Sequence, residues 1–184
     1  MAPVSESDEG AEAGPIERFD ELVEGWFDRL RGNPIADRVF YTASELGDYA
    51  LLWHLLATGQ GFTRRNGFER ALRLSLSLGV ESALVNGLIK SVFRRTRPIV
   101  EFERPHRLRQ PITTSFPSGH ASSAFLSAAL LSDRSRGKPL FYALAAIVAA
   151  SRVHVRIHHA SDVVGGAAIG IALGAIAKRV WPVS

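Results

Sequence analysis

The chain has 184 residues, 46% of them hydrophobic, and no cysteine; this suits one domain with a sizeable core and excludes disulfides, thiolate metal sites and a cysteine nucleophile. Its formal charge of +4 is unevenly divided, with 12 acids and 4 bases in residues 1–48 against 6 and 18 in residues 49–184. The basic excess lies largely in loops between apolar segments and is not interleaved with aromatics, so it fits an anionic substrate and anionic headgroups and speaks against nucleic acid as a partner.

In chain order, residues 1–15 are small and acidic, the composition of a disordered tail, with no basic n-region and apolar h-region of a signal peptide. Residues 16–184 read as a single helical domain. Ile16, Phe19, Leu22, Val23, Trp26, Phe27 and Leu30 recur at three and four, predicting an amphipathic helix over 16–30 that lies in a membrane interface or packs on the rest of the domain. After Gly32-Asn33-Pro34 a second helix is expected over 35–58. It carries Glu45 and Asp48, read as internal partners for arginine or supports of a site, and His54, read as an interior hydrogen-bonding residue.

A third helix is expected over 67–95. Ser82, Asn86 and Lys90 recur every fourth residue along it as a polar stripe, and Glu81 falls on the face opposite Lys90. Residues 99–116 form a basic loop with Arg104, His106, Arg107 and Arg109, read as solvated surface unless the loop gates a site. A fourth helix over 119–132 and a fifth over 139–152 are rich in alanine. The sixth, over 160–180, spaces Gly166, Gly170 and Gly174 by four, a pattern that lets helices approach closely in membranes. No segment alternates like a strand. The expected fold is all-α: a membrane-embedded bundle of about six helices, five of them spans plus the amphipathic first helix, in a multi-pass protein of the cell membrane. Several helices fall short of the ~20 apolar residues a span wants, which leaves a soluble bundle as the alternative.

Three polar clusters interrupt this apolar pattern. Lys90 and Arg97 stand seven apart, two turns along one helical face, before Pro98. Pro117-Ser118-Gly119-His120 opens the fourth helix, and Ser118 and Gly119 at a helix N-terminus offer free N–H groups and a dipole that favours an anion. Ser151-Arg152 through His158 to Asp162 joins the last two helices; four positions apart, His158 and Asp162 meet on one face if that stretch is helical. An imidazole held by a carboxylate on one nitrogen leaves the other free as base, nucleophile or ligand.

Lysine-x6-arginine-proline, proline-serine-glycine-histidine and serine-arginine-x5-histidine-x3-aspartate, in this order, resemble the three signature motifs of the type 2 phosphatidic acid phosphatase family, and every motif position is filled. The superfamily also holds soluble acid phosphatases and vanadium haloperoxidases. The resemblance implies a metal-independent lipid phosphate phosphatase with no cofactor. In it, His158 is the nucleophile that forms a phosphohistidine, Asp162 fixes its tautomer, and His120 protonates the leaving alkoxide and then activates water. Lys90, Arg97, Ser118, Gly119 and Arg152 bind the phosphate. His154, Arg156 and His159 fall outside the motifs and are read as structural. The expected substrate is a lipid-linked phosphate monoester or diphosphate: phosphatidate, phosphatidylglycerol phosphate, a polyprenyl phosphate or a lipid-linked sugar phosphate. Expected partners are that lipid and the surrounding membrane lipids. The alternatives are a vanadate-dependent haloperoxidase-like oxidoreductase and a soluble non-specific acid phosphatase.

Overall fold

A computed structural model of the chain describes residues 13–100, 108–109 and 111–183; the tail up to residue 12 and the loop residues Arg104, His106 and Arg107 lie outside the described residues. Within them the chain forms helices α1 (Pro15–Asp28), α2 (Pro34–Gly47), α3 (Leu51–Thr63), α4 (Gly67–Ser82), α5 (Gly119–Leu131), α6 (Lys138–His154) and α7 (Ala160–Val180), and no strand. The helix α4 runs on through a π-helical stretch, Ala83–Ile89, to a last α-turn ending at Val92.

Helix α5 is the axis of the fold. Its small side chains are almost all buried, and α4, α6 and α7 pack around it. The glycine ladder of α7 makes the closest of these contacts. A methyl group on Gly170 would stand 2.2 Å from the Ser122 carbonyl oxygen, and one on Gly166 2.3 Å from that of Ser118. Backbone therefore rests on backbone, which only glycine permits.

The helix expected over 35–58 is two. Tyr49 and Ala50 take left-handed backbone angles, φ 53° and 57°, which stop α2 and turn the chain into α3. Asn33 starts α2 by accepting from the amides of Ile35 and Ala36, with Pro34 preset for the first turn. Three long-range contacts of α2 and the residue after it lie at one end of the bundle: Asp37 with His154, Ser44 with Arg152 and Asp48 with His120. So α2 lies along that end, and α3 crosses to the other, where Gln60 and Arg64 reach Leu131 and Ser135. His54, half-buried on α3, bonds to Ser75 of α4 at 3.3 Å, as its reading required.

Gly67–Val92 and Ala160–Val180 are long and apolar enough to cross a membrane, and only 28% of each apolar window is buried, so their side chains look outward. Leu72, Leu76, Val80 and Leu88 of the first and Val164, Ile171 and Ile176 of the second are exposed. At 13 residues each, α3 and α5 are about 20 Å long.

Helix α1 is inverted relative to a helix on a soluble core. Ile16, Phe19, Leu22 and Trp26 are exposed, while Asp20 is buried and Glu24 faces the protein. Its polar face packs on the body through ion pairs.

Candidate active site

One end of the bundle collects the end of α4, the N-terminus of α5, the end of α6 and the N-terminus of α7, and all three sequence clusters meet there. His158 sits in the short link between α6 and α7, outside either helix, and Asp162 is in the first turn of α7. Expected as helical neighbours, they instead meet across a helix start: His158 Nδ1 stands 3.6 Å from Asp162 Oδ2. His158 is buried, 2% exposed. Burial, with the positive charges of Arg152 and Arg97 adding to it against Asp162, pushes its pKa down to about 3. The ring is therefore neutral at physiological pH. Its Nε2 faces the guanidinium of Arg97 at 3.3 Å, the arrangement of a lone pair on Nε2 and a proton on Nδ1.

Asp162 is held from several sides. Arg95 donates to Oδ1 at 2.7 Å, and Oδ2 accepts from the Ser115 hydroxyl and, at 2.8 Å, from the amide of His159. The last contact is half of a capping box, with His159 as the N-cap of α7. That gives His159 the structural role read for it. Arg156 pairs with Glu24 and Asp28, and buried His154 pairs with Asp37 at 2.7 Å, so these two are structural as well.

The cations come from three elements. Lys90 ends α4, 7% exposed, with Nζ 3.2 Å from the Thr113 hydroxyl. Arg97 is not on the same helix, because α4 stops at Val92 and residues 93–97 lie outside any helix. It reaches the site by wrapping the carbonyls of Thr113, Thr114 and Ile157. Arg152, fully buried near the end of α6, donates to the Ser44 hydroxyl of α2. Lys90 lies within electrostatic reach of both Arg97 and Arg152. Opposite them, Ser118 caps α5 by accepting from the Ala121 amide, and the Gly119 and His120 amides fall at the first two helical positions, which lack intrahelical partners. Asn86 of the polar stripe comes against Gly119, where a methyl group would stand 3.4 Å from its Oδ1. Three cations, a helix N-terminus and the His158 ring thus gather at this end of the bundle, with Arg97 the cation in contact with Nε2, a set of groups that suits a tetrahedral oxyanion.

His120 points into this end from the first turn of α5, with Nε2 3.0 Å from Asp48 Oδ1. Gly47 lets α2 approach, since a methyl group there would stand 2.7 Å from the His120 ring. Asp48 was read as a partner for arginine or a support of a site. Its bonded partner is this histidine, and Glu45, read alongside it, is exposed. Glu81 is also not where a uniform α-helix puts it. It is buried between α4 and α5, within electrostatic reach of Lys90, because the π-helical turns between them advance less per residue than α-turns do. In the loop, Arg109 lies over the Tyr49 ring, 4.6 Å from its centroid.

Sequence reasoning did not single out Asp20, Ser44, Arg95 or Ser115. Their partners are up to 141 residues away along the chain, and no local spacing marks them.

Residues 70–184 match the PAP2 superfamily. Over 145 residues, 74% of this chain and 76% of the other, the sequence is 41% identical to the decaprenylphosphoryl-5-phosphoribose phosphatase of two strains of Mycobacterium tuberculosis. The crystal structure of Aquifex aeolicus LpxE is similar with a TM-score of 0.68 and 29% identity, covering 88% of this chain and 93% of that one. The first transmembrane PAP2 type phosphatidylglycerolphosphate phosphatase from Bacillus subtilis is similar with a TM-score of 0.67 and 25% identity, covering 91% and 87%.

Proposed function

Because the chain belongs to the PAP2 superfamily and is a phosphoric ester hydrolase of lipid phosphates, we propose that it removes the terminal phosphate from a polyprenyl-linked sugar phosphate through a phosphohistidine on His158. The observation that carries the mechanism is the environment of His158: a buried imidazole with the Asp162 carboxylate on its Nδ1 side and the Arg97 guanidinium on its Nε2 side. The substrate class rests on the 41% identity to a phosphatase whose name describes a 5-phosphoribose on a decaprenyl phosphate.

In this mechanism the phosphate monoester sits among Lys90, Arg97, Arg152 and the amides at the start of α5, which take up the charge on its equatorial oxygens. Arginine's fork serves two oxygens at once, and lysine acts as a point charge. His158 Nε2 attacks phosphorus, and the bond from phosphorus to the sugar oxygen breaks. His120 gives its proton to the departing alkoxide. Its Nε2 is engaged by Asp48, so Nδ1 carries the transferred proton, and Asp48 stabilises the imidazolium before transfer. His120 then takes a proton from water, the hydroxide displaces His158 from phosphorus, and inorganic phosphate leaves. Asp162, 3.6 Å from His158 Nδ1, steadies by its charge the imidazolium that forms on attack. The groups facing the phosphate are cations, which repel a metal ion, so activity survives EDTA in this reading.

The proposed setting is a multi-pass protein of the cell membrane with α3 to α7 as five crossings and α1 and α2 lying at the site end. Outward apolar side chains on α4 and α7 support the crossings, and the exposed apolar face of α1 supports its seat in the lipid interface. Phosphate release by purified protein in micelles tests the substrate class. A polyprenylphosphoryl pentose 5-phosphate is expected to turn over faster than phosphatidate or phosphatidylglycerol phosphate, and all three far faster than glycerol 3-phosphate. Equal rates on the lipid and the water-soluble ester would overturn it.

A further inference from the structure

The described residues contain one polar bridge between α1 and the site that the reaction scheme leaves without a role. Asp20, buried on the inward face of α1, accepts from Arg95 at 2.6 Å through Oδ2. Its Oδ1 accepts from the Ser161 amide at 2.7 Å, and Oδ2 also accepts from the Ser161 hydroxyl at 2.8 Å. The same guanidinium donates through its other terminal nitrogen to Asp162 Oδ1 at 2.7 Å and to the Ser161 hydroxyl at 2.6 Å. Asp20, Arg95 and Ser161 thus close a ring, from which Arg95 reaches out to Asp162. Two carboxylates so close repel unless a cation stands between them, and only a planar fork bridges both with directed hydrogen bonds.

We propose that Asp20 and Arg95 are positioning residues for the hydrolysis, holding the Asp162 carboxylate in the orientation that sets the His158 ring. Arg95 lies between Lys90 and Arg97 in the chain but faces away from the phosphate, toward Asp162. Its division of labour with Arg97 is visible in the partners: Arg97 takes loop carbonyls and His158 Nε2, and Arg95 takes the two aspartates. Asp20 fixes where Arg95 can stand, and by capping the Ser161 amide it also pins the first turn of α7, on which Asp162 sits. The remainder of α1 and the turn that follows it brace the same link. Glu24 and Asp28 hold Arg156, and Arg31 donates to the carbonyls of Val153 and His154 at the end of α6. The first helix is therefore the splint of the His158 loop rather than a membrane tether alone.

This inference rests on the reading of His158 and Asp162 given above. The test is steady-state turnover of a micellar lipid phosphate by the full chain carrying Asp20→Asn or Arg95→Lys, each alone and with Asp162→Asn. Arg95→Lys keeps the charge and loses the fork, so it serves if Asp20→Asn does not fold; elution and thermal melting in detergent check the fold. Each single variant is expected to lower kcat about tenfold or more, the scale of a misaligned reacting group, with KM within about twofold. In the Asp162→Asn background either change is expected to add less than about twofold, because both act through that carboxylate. A folded Asp20→Asn or Arg95→Lys enzyme with kcat within twofold of wild type overturns the proposal. So does a loss of equal size with and without Asp162. Full activity of Asp162→Asn alone is the separate result that would sink the His158–Asp162 reading itself.

Discussion

His158 is where residue-scale predictions are sharpest. His158→Ala is expected to lose more than about a hundredfold in kcat, since it removes the proposed nucleophile; a smaller loss would point to another nucleophile. His120→Ala should be slow on alkyl phosphates and least impaired on p-nitrophenyl phosphate, whose leaving group needs no proton. Burial of His158 also links it to stability. The folded protein excludes a proton down to about pH 3, while the unfolded chain binds one below its ordinary value of about 6.5. The stability this histidine contributes is whole above pH 6.5 and drains as pH falls toward 3. Between pH 7.5 and 5 that amounts to roughly 2 kcal/mol. Melting temperatures in detergent should therefore drop further for wild type than for His158→Gln over that interval; parallel drops would show a ring that titrates normally. Much of this site is legible in the sequence, because Lys90, Arg97, Ser118, Gly119, His120, Arg152, His158 and Asp162 lie in short spaced motifs. The groups that hold them are not. Arg95 sits inside a motif yet looks like any basic loop residue, and Asp48 and Asp20 acquire meaning only when distant helices bring His120 and Ser161 to them.

At the scale of elements, periodicity locates the helices well and fails where the backbone departs from a straight α-helix. The reading over 35–58 missed the left-handed Tyr49 and Ala50, since neither residue type announces a positive φ, and it ran through Gly47, the residue at which α2 ends. It likewise placed Glu81 by counting 100° per residue through a stretch that is π-helical. The glycine ladder, by contrast, was legible because its meaning is steric and independent of register elsewhere. Gly170 carries the clearest consequence. A side chain there must displace the Ser122 carbonyl and the Leu126 amide of α5, backbone groups that cannot swing aside. Gly170→Leu is expected to cost at least 1–3 kcal/mol, about the usual penalty for overpacking, and to lower activity by moving α5 and with it His120. Gly79, where a methyl group meets nothing within 4 Å, is the control, and Gly79→Ala should melt with wild type. A Gly170→Leu protein that melts and turns over normally would mean that α5 and α7 do not pack as described.

For the whole molecule, the placement of the site at one end of the bundle makes a claim about sidedness that the protein is well suited to test. With α3 to α7 as five crossings, α1, α2 and the site share one face. The α3–α4 and α6-preceding turns, with Arg64, Arg134, Arg136 and Lys138, share the other with the end of α7. Basic residues crowd both faces, so a count of them does not assign a side, and part of the arginine at the site end has the proposed role of binding phosphate. The relative placement follows from connectivity alone. Because the chain has no cysteine, a single introduced thiol is read without background. Arg38→Cys on α2 and Arg136→Cys in the turn before α6 replace exposed side chains at the two ends. In sealed vesicles of one orientation, a membrane-impermeant maleimide is expected to label one of them at once and the other only after permeabilisation. Labelling of both from the same side would require an even number of crossings between α2 and the turn before α6, which contradicts α3, α4 and α5 as three crossings, and the membrane arrangement of the bundle would have to be redrawn with the fold intact.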